Sequence, residues 1–308
     1  MYLVLLFFIL FFTLNTGFFM SSKLKCLCTV VIFILLNACT SIELKTVTTE
    51  NNHKDSTNLF TEETSATEID SEQAMAVQEL STIPAPNSFN PHFYNDVTTS
   101  QLGSLTAHYE NWEFQNFPGK KRTQYQLAKV QQTSLVKATA NQSASMLRKR
   151  LKLAPEKYKS VKMAWSVLVK AKNAKVSQGN LDDSSMRLVL AFDGDKSKWS
   201  AKDAVLSELS ELMTGEPMPY ATLMYVLCDE CQEGAVIMNQ KTSRIRYLVV
   251  GKASGFEGKW QFLKRNIHED YFKTFQEAPG ELVSMGIMTD ADNSKTQTSA
   301  WYGPVVLE

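Results

Sequence analysis

Residues 161–169 read Val-Lys-Met-Ala-Trp-Ser-Val-Leu-Val, with a larger apolar side chain at every second position. Side chains on a strand alternate between faces, whereas a helix repeats every 3.6 residues, so this segment fits a strand with a buried face. The pattern recurs along the chain. Residues 123–130 approximate the same alternation, 134–140 and 145–153 follow at short spacing, and 186–192 form a nearly continuous apolar run, as a central strand requires. Residues 222–227, 235–238, 245–250, 282–288 and 299–307 continue it. So many short strands, with turn signals between them, predict a mainly β architecture: a jelly-roll-type β-sandwich spanning residues 89–308.

Two short helical insertions are expected. Ala204, Val205, Leu209, Leu212 and Met213 share one helical face, with Gly215 and Pro217 as the stop. Ile267, Tyr271, Phe272 and Phe275 share another, ahead of Pro279-Gly280. Both are read as amphipathic covers with their apolar faces, Tyr271 and Phe272 included, turned toward the sandwich.

The N-terminal region has a different grammar. Met20-Ser-Ser-Lys-Leu-Lys is a basic start, residues 26–36 are an apolar run of signal-peptide length, and Leu36-Asn37-Ala38-Cys39 ends it as a bacterial lipoprotein signal ends. Cys39 is therefore the expected lipid-attachment residue, Met20 the expected start, and residues 1–39 leave or anchor the chain. Asn37 fits its slot less well than a smaller residue would. Residues 2–12 are a second apolar run without a basic flank, read either as an over-extended start or as part of a membrane hairpin. Thr40 rather than aspartate after the cysteine points to the outer membrane of a Gram-negative envelope, and the lipid bilayer is the first expected partner.

Residues 40–88 are expected to be a disordered tether, since their scattered apolar groups cannot offset ordering entropy. Within 41–88 there are nine acids and two lysines. The whole chain balances 32 basic against 32 acidic residues, so the folded part is only mildly basic, and nucleic acid is not an expected partner. Of five cysteines, Cys26 and Cys28 fall in the signal and Cys39 takes the lipid. Cys228 and Cys231 remain, read as a small structural disulfide between two strands rather than half of a zinc site or a redox pair.

Arg265-Asn266-Ile267…Asp270-Tyr271…Phe275 and Gly286-Ile-Met-Thr-Asp290-Ala-Asp292-Asn293-Ser294…Ala300-Trp301-Tyr302-Gly303 together resemble a family of secreted bacterial proteins filed as a domain of unknown function. That family ends in an Asp-x-Asp-Asn-Thr…Tyr-Tyr-Gly-Asp signature. Thr123-x-Tyr125, Ala144-Ser145, Trp165 and Leu181-Asp182-Asp183…Arg187 also resemble it, so the likeness covers residues 102–308. It implies a jelly roll similar to carbohydrate-binding and galactose-binding-like domains. The chain departs at Ser294-Lys295 for Thr-Gly, at Trp301 for the first Tyr and at Pro304 for Asp.

The candidate sites follow from residue chemistry. Asp290, Asp292 and Asn293 after a strand are hard oxygen ligands and a candidate calcium site, or equally a self-capping turn. Asp182, Asp183 and Arg187 open a central strand, while Arg265, His268 and Asp270 fall within six residues. Tryptophan faces stack on sugar rings. Trp165 alternates with core positions, Trp199 and Trp260 sit near loops, and Trp301 and Tyr302 point to opposite faces, so that one of them faces outward or into a cleft. The candidate ligand-binding set is therefore Asp182, Asp183, Arg187, Trp199, Trp260, Arg265, Asp270, Trp301 and Tyr302.

No motif names a reaction, and no catalytic residue is assigned. The first functional expectation is a non-catalytic envelope lipoprotein that binds a glycan or another envelope component, with a structural cation as the one cofactor considered. The alternatives are a polysaccharide hydrolase or lyase using Asp182, Asp183, Asp270, Asp290 or Asp292, and a structural protein with a protein partner. The enzyme reading requires these acids to meet in a cleft beside Arg187 or His268.

Overall fold

The computed structural model describes residues 81–94, 109, 112–131 and 133–308. Cys39, the apolar N-terminal segments and most of the tether lie outside these residues. Among the described residues no helix is long and apolar enough to cross a membrane.

Thirteen strands form two facing sheets, as the sequence predicts. They are β1 (Glu113–Asn116), β2 (Gln124–Val130), β3 (Thr133–Asn141), β4 (Ser145–Leu153), β5 (Ser160–Val169), β6 (Ser184–Phe192) and β7 (Ala221–Leu227). Then follow β8 (Val236–Met238), β9 (Ile245–Gly251), β10 (Gln261–Asn266), β11 (Leu282–Asp290), β12 (Gln297–Tyr302) and β13 (Val306–Leu307). One sheet has seven strands in the order β1-β4-β11-β6-β7-β9-β8, and the other has β10-β5-β12-β3-β2, with β13 beside β5. Pairing is antiparallel except between β7 and β9, where the chain makes a crossover through 228–244.

The expected alternation is what closes the core. Met163, Trp165 and Val167 of β5 meet Leu188, Leu190 and Phe192 of β6 in one buried cluster with Tyr125, Leu223, Tyr225, Ile287 and Tyr302. Trp165 is thus a core residue. The last expected strand is interrupted at Gly303-Pro304, since proline cannot donate to the ladder, and divides into β12 and β13. Cys228 and Cys231 form a disulfide just after β7, with Cα atoms 5.3 Å apart.

The pairing also extends into the stretch read as tether. The Ile83 N–H donates to the Leu127 carbonyl and the Leu127 N–H to that of Ser81. From there Phe89 and Tyr94 continue over the outer face of the six-stranded sheet, where they cover Ala164 and Trp301.

Among the described residues two α-helices occur, α1 (Ala201–Thr214) and α2 (Ile267–Phe275). Their ends match their sequence: Ser200 caps α1 through the Asp203 N–H, Gly215 ends it at φ 76°, and the Asn266 side chain caps α2. The orientation of α1 overturns the sequence expectation. Its buried residues are Asp203 and Ser207, whereas Val205, Leu209, Leu212 and Met213 are 48–86% exposed. The reason is polar: the Asp203 carboxylate accepts the hydroxyls of Thr242 and Ser243 as well as Ser200, which pins the helix by its hydrophilic side. In α2, Ile267, Tyr271 and Phe275 do face inward, but Phe272 is exposed.

Candidate functional site

Four of the predicted acids converge. Asp182 and Asp183 precede β6, Asp290 ends β11, and Asp292 follows it, so the β6–β11 pairing brings them to one end of the seven-stranded sheet. Asp183, Asp290 and Asp292 are all buried and place carboxylate oxygens within 4.8 Å of one another, a spacing that could hold a cation. Each is also bonded within the protein. Asp183 accepts the backbone N–H groups of Asn293 and Ser294 at 3.1 and 2.6 Å. Asp290 accepts the Ser184 N–H at 3.0 Å and the Arg187 guanidinium at 3.0 and 3.2 Å. Lys120 is ion-paired with Asp292. Asn293 turns its amide to the Asp182 carbonyl at 2.9 Å, and so stitches the loop to the start of β6.

Arg187 joins this cluster to the rest of the sheet face. Its guanidinium bonds Asp182 at 2.9 Å and lies 5.2 Å from the Tyr247 ring centroid, while the Tyr247 hydroxyl donates to Asp182 at 2.6 Å. Burial pushes the Asp290 carboxyl up to about 7 against the pull of Arg187, and the neighbouring Asp183 and Asp182 charges add to the rise. The acids meet beside Arg187, largely in the protein interior, and Asp183 also lines a small pocket of about 30 Å³ with Lys170 and Asp229.

The remaining sequence candidates lie elsewhere. Arg265 and Asp270 pair with each other, and Asp270 also accepts the Tyr225 hydroxyl. The His268 Nε2 sits 2.9 Å from the Tyr158 carbonyl oxygen. Trp199 is stacked on Tyr220 with an interplanar angle of 5°, and the Lys196 ammonium lies 5.3 Å from its ring centroid. Trp260 packs edge-on against Phe89 at 4.7 Å. Trp301 does face away from the core, but Phe89 and Tyr94 cover it, and Tyr302 buries its hydroxyl 2.7 Å from the Met288 carbonyl oxygen. Trp301 is thus buried, whereas Trp199 and Trp260 stay half-buried.

Among the described residues there is also an open site that sequence reading missed. On the outer face of the seven-stranded sheet, α1 stands over a groove of about 640 Å³. Its floor is written in the register: Met146–Met288 forms one row across β4 and β11, Arg148–Gly286–Val189–Met224 the next, and Arg150–Ser284–Ala191–Thr222 the third. Leu206, Leu209 and Met213 of α1 form a wall. Gly286 sits low in the floor because a Cβ there would press on the Met146 side chain. At the polar end Arg148 bonds Glu216 through both terminal nitrogens at 2.8 and 2.7 Å and Glu113 through Nε at 2.7 Å, and Arg150 shares both carboxylates. The Arg148 hydrogen bond holds the Glu216 carboxyl below the usual range. Phe117 is the one aromatic among the described lining residues. The signal for this groove was present in β6, whose residues are apolar on both faces and so must meet something on each.

A family model described as "Protein of unknown function (DUF3047)" matches residues 110–306. No curated protein matches the chain. Among solved structures, the family 11 carbohydrate-binding module of a Clostridium thermocellum cellulosomal cellulase is similar at 8% identity and TM-score 0.32, covering 64% of this chain and 86% of that one. The Trichoderma harzianum endoglucanase 3 of family GH12 is similar at 9% identity and TM-score 0.36, covering 64% and 90%. The xyloglucanase domain of NopAA from Sinorhizobium fredii, solved with cellobiose, is similar at 8% identity and TM-score 0.34, covering 64% and 93%.

Proposed function

This chain belongs to the DUF3047 family of proteins of unknown function, and we propose that it is a lipid-anchored envelope protein whose sandwich is a non-catalytic binding module, with the groove beneath α1 as its ligand surface. The groove carries the reading: its volume lies in the range of small-molecule sites, about 300–1,000 Å³, and a few polar groups converge on a mostly apolar lining. The anchor is Cys39, reached through the acidic tether, and the compartment is the outer membrane of a Gram-negative cell.

The chemistry of the groove supports binding over hydrolysis. A glycosidase holds one carboxyl protonated near neutral pH as the acid and a second one facing the same bond. Here two arginines hold the Glu216 carboxyl low, and Asp290, whose carboxyl burial raises, lies in the buried cluster beyond Met288. In the Asp183, Asp290 and Asp292 cluster, the arginine, lysine and backbone partners make a structural role for these acids sufficient, with calcium as an added ligand if one binds.

The test uses the protein with and without Leu209→Gln and Met213→Gln, two exposed positions on the groove wall. Wild-type protein should co-sediment with an insoluble envelope fraction and release no soluble fragment from it. The double substitution should lower the bound fraction at least tenfold. Equal sedimentation of the two proteins would remove the groove from the reading. For the anchor, a Cys39→Ser chain should move from the membrane to the soluble fraction.

A further inference from the structure

We infer that the groove takes a single-chain acyl amphiphile with a carboxylate head, an inference that rests on the groove being the ligand surface. The floor and the wall are built of flexible unbranched or branched aliphatic side chains: Met146, Met224 and Met288 below, Leu206, Leu209 and Met213 above. Methionine is adaptable and polarisable, and suits a flexible hydrocarbon chain, whereas a sugar ring calls for a flat aromatic face. Gly286 leaves room for the Met146 side chain to lie across the floor.

Polarity runs in one direction along the groove. The Met146–Met288 row is apolar, and two residue steps further on the row reads Arg150–Ser284–Ala191–Thr222. An amphiphile has this same gradient. Charge at the polar end is balanced, since Arg148 and Arg150 share Glu113 and Glu216 and Lys196 stands on the lining with Asp193, so the match to a carboxylate head rests on the donors of Arg150. Arg150 is half exposed and directs Nε and one terminal nitrogen to Glu113 and Glu216. A guanidinium carries five N–H donors in a fork that fits carboxylate, so Arg150 has donors left to offer a ligand head. Unlike Arg148, it can do so from the surface.

The expected binding is measured by calorimetric titration of the full chain with sodium laurate below its micellar concentration, beside n-dodecyl maltoside as an uncharged head on the same chain length and cellobiose as a sugar. Laurate should bind once per protein. Leu209→Gln with Met213→Gln should weaken it at least tenfold, and Arg150→Gln should weaken laurate about tenfold while leaving dodecyl maltoside unchanged. No laurate binding, or the same laurate affinity in all three proteins, overturns the acyl assignment. Equal loss of laurate and dodecyl maltoside in Arg150→Gln overturns the assignment of the head. If laurate fails while envelope co-sedimentation still depends on Leu209 and Met213, the acyl ligand falls and the groove stands; if co-sedimentation ignores those residues, the groove itself falls.

Discussion

Asp290 links burial to pH in a direction opposite to Glu216, Glu277 and Glu308. Its folded value near 7 lies above the value of about 3.9 for an unfolded aspartate. Between these limits the native state binds the extra proton, so this group adds stability as pH falls from 7 toward 4 and withdraws it as pH rises again. Glu216, Glu277 and Glu308 are shifted down, so their opposite contributions are lost only in more acid solution. The urea midpoint should therefore be higher at pH 5.5 than at pH 7.5; a midpoint that rises over that interval would contradict the burial of an acid here. Asp290→Asn, which fixes this side chain in a neutral form, should flatten the difference between the two pH values. Much of this cluster was legible, since Asp182, Asp183, Asp290 and Asp292 flank strands that a sandwich pairs. Its counterions were not. Lys120 and Tyr247 stand far away in the chain, and no local pattern announces that they arrive beside Asp292 and Asp182.

Strands were the most readable elements because burial of one face imposes a period on the sequence, and β5 keeps that period from Val161 to Val167. Helix α1 shows where the rule fails. Its apolar face is real, but the loop before β9 offers polar anchors at Thr242 and Ser243, and Asp203 takes them. The Ser207 hydroxyl accepts the Met218 N–H and the Ser210 hydroxyl donates to the Glu216 carbonyl, so the helix hangs by its polar side. The same inversion hid the groove, because an apolar residue facing outward on β4, β6 or β11 looks in sequence like one facing inward. Two substitutions separate these roles. Asp203→Ala removes the shared acceptor of three hydroxyls and should destabilise the fold by about 2–3 kcal/mol. Leu212→Glu, at a position 86% exposed, should change stability by less than about 0.5 kcal/mol. Denaturant midpoints read both. If Leu212→Glu proves the costlier of the two, α1 packs by its apolar face after all.

Among the described residues the two outer faces of the sandwich are treated differently: one is sealed and the other carries a groove. On the six-stranded side the segment 81–94 seals the sheet. Phe89 lies on Trp260, and the Tyr94 hydroxyl accepts the Ala164 N–H at 3.0 Å and donates to the Pro304 carbonyl at 2.8 Å. On the seven-stranded side no such arm is present among the described residues; α1 spans the sheet and leaves the groove. The arm thus acts as part of the core even though its sequence, rich in proline and polar residues, reads as the end of a tether. Phe89→Ala with Tyr94→Ala should lower stability by roughly 4 kcal/mol, since burying a large apolar side chain contributes about 1.5–3 kcal/mol and a bonded hydroxyl somewhat more. Trp301 and Trp260 would then meet water, and the native tryptophan emission should shift to the red. Because the sheets stack about 10 Å apart and share no partners across their outer faces, these losses should add to those of Leu209→Gln and Met213→Gln within about 0.5 kcal/mol. Ligand affinity should stay at its wild-type value in the arm variant as long as the protein remains folded. An arm variant with an unchanged midpoint and unshifted emission would mean that residues 81–94 do not hold this face, and the sandwich would then have two open surfaces to account for.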